Sequence, residues 1–367
     1  MEATGQEKLR ASTDADVLVV GGGIIGHFVA AELAQAGKNV ALLSGSAERA
    51  SDGSLVWLNV SSTEDLTYAK LRSASMRLWV DAIAADKTCP VRKKGALIWD
   101  RERDALEDLR GVQNEVQWQA QVIDNGQFSE LAPGIRHAPE AALFAPDECA
   151  ADPSEIMNWA EGRSANLGVD VVREECSRAV ETNGKVQGIQ TASGEFIESG
   201  MVVLACGVGT PRLIGGFGAA LPLKDAPGMY LRTEPMLKIS DAVLASPLMD
   251  FWQGQDGRVH IATGTDEEMA GDASSALEAA LSDLVALTNA ECKPKVEFHN
   301  TRMRPVPLDG RPVVSEVPAV SGLYVAVMHS GMTLAPIAAR GIAAMITGEE
   351  PPAELLPYRL ERFAQST

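Results

Sequence analysis

The most constraining stretch lies near the start of the chain. Residues 16–20 (DVLVV) form a short apolar, β-branched run and read as a buried strand. Gly21-Gly22-Gly23-Ile24-Ile25-Gly26 follows at once. Residues 27–37 (HFVAAELAQAG) then place apolar side chains at helical spacing, with Gly37 as a stop, and residues 39–43 (NVALL) read as a second strand. Strand, GxGxxG turn, helix and strand within about 30 residues is the context that a dinucleotide-binding βαβ unit requires. The glycines have separate physical jobs. Gly21 makes the tight turn, Gly23 lets the backbone approach a pyrophosphate, and Gly26 lets the helix pack closely on the strand. The first helical turn, with Ile24 and Ile25, aims free N–H groups and the positive end of the helix at the phosphates. No second complete unit of this kind occurs, so separate Rossmann units for FAD and NAD(P) are not expected.

The rest of the chain bounds the class. At 367 residues it exceeds what one core usually needs, which predicts two domains. The net charge of −18 repels nucleic acid and anionic membrane, leaving a small molecule as the expected partner. No run of 18 apolar residues exists, so no membrane span is expected. Residues 1–13 read as a flexible tail and not as a secretory signal. The five cysteines, Cys89, Cys149, Cys176, Cys206 and Cys292, are scattered and lack a CxxC pair. No metal site is expected, and a reducing cytoplasm fits. Further along, residues 169–172 and 202–204 read as strands, residues 180–197 as a β-meander, residues 323–327 (LYVAV) as a strand, and residues 334–346 as an apolar helix.

Four segments carry a family resemblance over residues 14–346. They are DVLVVGGGIIG, then VVLACGVGT (202–210), MRPVPLDGRPVV (303–314) and GLYVAVMHSGMTLAP (322–336). In order and spacing they resemble the D-amino-acid oxidase superfamily, in its glycine oxidase and sarcosine oxidase branch. The resemblance implies a mixed α/β fold, in which a Rossmann-like FAD-binding domain (14–83, 150–215, 301–367) is interleaved with an antiparallel-sheet substrate domain (84–149, 216–300). It implies oxidation of the C–N bond of a small amino acid or secondary amine to an imine, by hydride transfer to flavin N5. The chain departs from the family at Ser44, where an acidic residue usually binds a ribose hydroxyl. Serine offers one hydrogen bond and not a bidentate acceptor. Ser44-Gly45-Ser46 with Arg49 nearby is also the pattern of an NADP 2′-phosphate site. The C-terminal segments and the lack of an NADP-dehydrogenase pattern favour the flavin.

The resemblance also assigns residues. Ser44, Arg49 and Ser51 follow the second strand, and Gly207 lies in the small-residue turn, all toward the cofactor. Ser330, Gly331, Met332 and Thr333 form the loop expected along the flavin pyrimidine edge, where the following helix adds its positive end. Arg304 stands where the family binds the substrate carboxylate, for which a guanidinium fork is suited. Arg302, two residues earlier, would share its face in a strand and suit a second carboxylate. Arg302 also occupies the place of the cysteine that attaches FAD in some sarcosine oxidases, so FAD is expected to be non-covalent. His329 faces flavin, substrate or solvent. His260, in RVHIATG (258–264), aligns near a lysine held over the flavin and is otherwise a satisfied sheet histidine. Asp250 and Trp252, with Phe251, lie in the strand that lines the family's substrate pocket; core packing is the alternative for the aromatics. His27, His137 and His299 show no partner pattern. Three other readings stay open: a 2-hydroxy-acid dehydrogenase using His260 or His329 as base, a catalytic subunit of a heteromeric opine or hydroxyproline dehydrogenase, and a flavin-binding scaffold without turnover. A homo-oligomer or a partner subunit also stays open.

Overall fold

The computed structural model describes residues 15–263, 273–318 and 320–364. The expected tail, residues 1–13, and the end of the RVHIATG segment at Gly264 lie outside them. One sheet has six strands in the order Val313–Glu316, Leu323–Val327, Val202–Leu204, Val17–Val20, Val40–Leu43 and Asp170–Val172. Its strands are parallel except for Val313–Glu316 at one edge. The unbroken apolar runs are explained by burial on both faces. Val17, Val19 and Leu42 pack under the helices Ile24–Gln35, Leu66–Ala85 and Gly331–Thr347. Leu18, Val20 and Leu43 pack on the other face against Ala179, Val186 and Ile189. Those come from a three-stranded antiparallel sheet, Cys176–Thr182, Lys185–Thr191 and Phe196–Glu198, which is the meander read from the sequence.

The second sheet has eight strands, in the order Val296–Met303, Pro227–Thr233, Val259–Thr263, Asp250–Gln253, Val243–Ala245, Ala96–Ile98, Ala141–Ala145 and Gln121–Asp124. It is antiparallel apart from the contact between Val243–Ala245 and Ala96–Ile98. Alternation divides its residues cleanly. Met229, Leu231, Phe251, Val259 and Ile261 form one core with the helix Ala273–Leu287. Tyr230, His260, Trp252, Asp250 and Ala262, opposite one another in the register, occupy the other face. Segments of the two sheets alternate along the chain, so the Rossmann-like and antiparallel layers are interleaved as the resemblance implies.

Two details place the site. The helix expected from Leu334 starts three residues earlier, as Gly331–Thr347, with Pro336 inside it. Pro336 has no N–H for the carbonyl of Met332, four residues back. Trp79 Nε1 donates to that carbonyl at 3.0 Å, and Ser75 Oγ donates to the next, Thr333, at 2.6 Å. The helix Leu66–Ala85 therefore clamps the first turn of Gly331–Thr347. The second detail is the elbow at Gly21–Gly26. Gly21 has φ +123°, which only glycine adopts readily, and any Cβ on Gly26 would overlap the Gly21 carbonyl oxygen. Both atoms belong to backbone, so neither can give way. We predict that Gly26→Ala lowers the melting temperature by several degrees or more, read by circular dichroism. An unchanged melting temperature would contradict this packing.

Candidate functional site

A cavity of about 710 Å³ starts at the elbow and runs between the two sheets. Gly21, Gly23, Ile24 and Ile25 line it. A helix leaves its first-turn amides without intrahelical acceptors. Here Ser51 Oγ accepts the amide of Ile24 at 3.1 Å. Ile25, next in that turn, borders the cavity, and Gly26 sits directly behind it against the Gly21 carbonyl. Gly22, to which the sequence reading gave no role, is also obligatory: a Cβ there would overlap the Ser44 hydroxyl. The elbow is a cradle of bare backbone beside a helix N-terminus, which fits a pyrophosphate.

One end of the cavity lies at Ser44, which is buried and accepts from Arg173 Nη1 at 3.3 Å. Carboxylates do reach this end, from two residues that carry no motif signal. Glu174 and Glu175 line the cavity beside Gly45. The Glu175 chain lies across Gly45, where a Cβ would overlap it, and its Oε1 accepts from Ser46 Oγ at 2.7 Å. Arg49 borders the cavity but its charge is committed. It donates to Asp52 Oδ1 and Oδ2, each at 2.9 Å, to Glu161 Oε1 at 2.6 Å and to the Gly22 carbonyl at 3.1 Å. Arg49 braces the elbow, and its pairing with two carboxylates argues against a 2′-phosphate site.

The opposite end is formed by His329, Ser330, Gly331, Met332 and Thr333 on one side and Asp250, Ala262, Arg302 and Arg304 on the sheet side. Gly207, with φ +53°, lines the cavity near Pro305. The strand ends at Met303, so Arg304 lies one residue beyond it. Its side chain nevertheless lies over Gly228, the residue paired with Arg302, in the space a side chain would fill. Arg304 Nε and Nη2 donate to the carbonyls of Ala226 and Pro227 at 3.3 and 3.1 Å. Arg302 packs on Gly53 and pairs with Glu48 at 3.2 Å.

Two expected residues do not reach the cavity. His260 stacks on Trp252 at 3.8 Å between ring centroids and accepts or donates a hydrogen bond at the Tyr230 hydroxyl, 2.8 Å away. Trp252 Nε1 donates to the Leu55 carbonyl at 2.8 Å, so the segment before Trp57 packs on the indole. They share the face of Asp250 but serve as packing, because that face is partly roofed. Asp250 does line the cavity, and burial, then the nearby Asp100, pushes its carboxyl up to about 7.

Two further side chains carry the site and gave no motif signal. Arg72, from the helix Leu66–Ala85, borders the cavity and bonds Ser330 Oγ at 2.8 Å. Glu148 is fully buried and accepts from the amides of Val60 (3.0 Å) and Ser61 (2.9 Å), from Trp57 Nε1 (2.7 Å) and from the Ser61 hydroxyl. It pins the segment from Trp57 to Ser61, which borders the cavity at Trp57 and Asn59. Only a fold that brings residue 148 beside residue 60 makes such a group visible.

A Rossmann elbow whose cavity runs out beneath an antiparallel sheet defines a class, the two-sheet dinucleotide-binding proteins. The profile of the DAO family, described as FAD dependent oxidoreductase, matches residues 16–345, and the chain belongs to that family. It is 26% identical to one of the subunits of an opine oxidase of Rhizobium meliloti, over 95% of this chain and 98% of that protein. It is 29% identical to a glycine oxidase of Pseudomonas putida over 63% of this chain and 64% of that one. Among solved structures, an L-amino acid deaminase from Proteus vulgaris superposes with a TM-score of 0.85 at 21% identity, covering 99% of this chain and 97% of that one, and shares the fold.

The histidines of this region set a pH dependence. Burial pushes His27 down to about 4, against the pull of Glu161; its Nδ1 lies 2.9 Å from Ser164 Oγ. Burial in the cavity, then Arg304 and Arg72, pushes His329 down to about 4. Between pH 6.5 and about 4 the unfolded chain binds the proton that buried His27 refuses, so stability falls as pH falls. At pH 5 the His27 contribution lost is ~2 kcal/mol. We predict that the fall in melting temperature between pH 7 and pH 5 is smaller in His27→Asn. An identical fall would show that His27 is not held neutral.

Proposed function

We propose that this FAD-dependent oxidoreductase oxidises the C–N bond of a small amine that carries a carboxylate, with the FAD held without a covalent link. The observation that carries the reading is the placement of Arg304 over Gly228, its fork fixed by two backbone carbonyls at the cavity wall. A fixed guanidinium can orient a carboxylate bidentately. The elbow at Gly21–Gly26, Glu175 beside Ser44, and the first turn of Gly331–Thr347 would hold the cofactor. When bound, FAD supplies the acceptor for a hydride and thus for two electrons. The cysteines bordering the cavity, Cys176 and Cys206, lie at the Ser44 end and at the Gly207 turn, and burial raises both thiols. Held as thiols, with Cys206 Sγ donating to the Val20 carbonyl at 3.1 Å, neither offers a thiolate for attachment, which supports non-covalent binding.

The chain's own residues account for the rest. Arg304 fixes the acid end of the substrate. His329 stays neutral near pH 7 and adds no charge beside it. The amine must lose a proton before its carbon is oxidised, and the Asp250 carboxylate on the sheet side can take it.

A second reading has its own support. The full-length likeness to an opine oxidase subunit favours a catalytic subunit that acts on an opine beside a second, different polypeptide. Arg302 would then offer a second carboxylate its charge once Glu48 yields.

We predict that Arg304→Ala keeps FAD and fold but lowers kcat/KM for flavin reduction on the order of 10²-fold, and that Arg304→Lys restores only part of it. Unchanged kcat/KM in Arg304→Ala would remove the carboxylate anchor from this residue. Arg302→Ala should affect dicarboxylate amines more than monocarboxylate ones. The pH profile offers a separate check. Activity should rise with pH through about 7 as Asp250 ionises, and Asp250→Asn should lose that limb. A limb that survives in Asp250→Asn assigns the proton acceptor elsewhere.

A further inference from the structure

Arg72 is buried, 2% exposed, on a helix with no cofactor motif. Its Nε, Nη1 and Nη2 all donate, and every acceptor is neutral. Nε donates to the Asn59 carbonyl at 3.0 Å and Nη2 to Asn59 Oδ1 at 2.6 Å. Nη1 donates to Ser330 Oγ at 2.8 Å and to the Tyr68 hydroxyl at 3.3 Å. Among the described residues no carboxylate pairs with it. The Tyr68 ring face, 5.2 Å from the guanidinium carbon, offsets only part of the cost of burying an ion. A buried cation is ordinarily matched by a nearby anion, and the described residues supply none here.

The place of this cation gives it meaning. Arg72 lines the cavity at the end away from Ser44, together with Asn59, His329 and Ser330. Ser330 is the N-cap of Gly331–Thr347, so the positive end of a long helix converges on the same spot. The other two arginines of this end, Arg302 and Arg304, belong to the sheet wall. The elbow would hold the pyrophosphate and Ser44 the adenosine side, so Arg72 would stand toward the isoalloxazine end of a bound FAD.

We propose that Arg72 is the fixed positive charge that balances the negative charge FAD gains on two-electron reduction, and so sets how readily this protein's cofactor is reduced. The proposal rests on FAD occupying this cavity, and not on the identity of the substrate. Its hydrogen bonds to Asn59 and Ser330 hold the charge in place in both redox states, so no reorganisation is needed when the electrons arrive.

The test uses holoprotein and no substrate. Sulfite adds to oxidised flavin to give an anionic adduct that is read by absorbance. In Arg72→Met, sulfite affinity should fall at least tenfold, and the midpoint potential should drop by about 30 mV or more, the two-electron equivalent of tenfold. Arg72→Lys should recover most of both. Values within twofold of wild type in Arg72→Met would overturn the proposal. If Arg72→Met does not fold, wild-type protein decides. Its fully reduced flavin should keep the anionic spectrum on acidification to a pH where free reduced FAD is protonated, and a neutral spectrum there would overturn the proposal. Wild-type protein that binds no FAD would instead remove the reading beneath it.

Discussion

The contact on which the rest depends is the one between two glycines. The helix Ile24–Gln35 presses the backbone of Gly26 against the carbonyl of Gly21, with no side chain between them. That closeness points the helix N-terminus along the strand it follows and leaves a backbone cradle in front of it. Everything around the elbow keeps it in that shape. Gly22 leaves room for Ser44, Ser51 takes the Ile24 amide, and Arg49 ties the Gly22 carbonyl to Asp52 and Glu161. The residues that look like ligands in the sequence thus divide into those that face the cavity as backbone and those that brace it.

The far side of the cavity is built by a different device. The carbonyl of Met332, left open by Pro336, is taken by Trp79, and the next carbonyl by Ser75. One helix therefore holds the start of another, and from the same helix Arg72 reaches Ser330. Glu148 ties down the segment from Trp57 to Ser61, bordering the same space. A chain with a net charge of −18 thus concentrates three arginines, Arg72, Arg302 and Arg304, around one end of an interior cavity. Attraction of acidic ligands is local here and runs against the charge of the whole molecule.

Much of this is legible in the sequence. The strand 202–204 and the strand 323–327 fall where their apolar runs place them, because buried parallel strands are apolar throughout. The elbow is legible because a phosphate cradle demands glycine at fixed offsets. The helix start at Gly331 is not, since Gly-Met-Thr carries no periodic signal and a side chain from residue 79 completes that turn. The family resemblance points His260 and Trp252 toward the pocket, and they do share the face of Asp250. Resemblance gives the strand and not what packs on it, and the Leu55 segment packs on Trp252. Arg72, Glu148 and Glu175 act through partners distant in sequence or through a neighbouring glycine. A single sequence holds no trace of such pairings.

Oxidation of the C–N bond of an acidic amine by bound FAD can be read from the flavin itself. The yellow holoprotein is mixed without oxygen with a panel of amino acids, N-carboxyalkyl amino acids and 2-hydroxy acids, and the flavin absorbance is followed. We predict that an amine bearing a carboxylate bleaches the flavin while the matching hydroxy acid does not. Bleaching by hydroxy acids alone, or by no member of the panel, would contradict it.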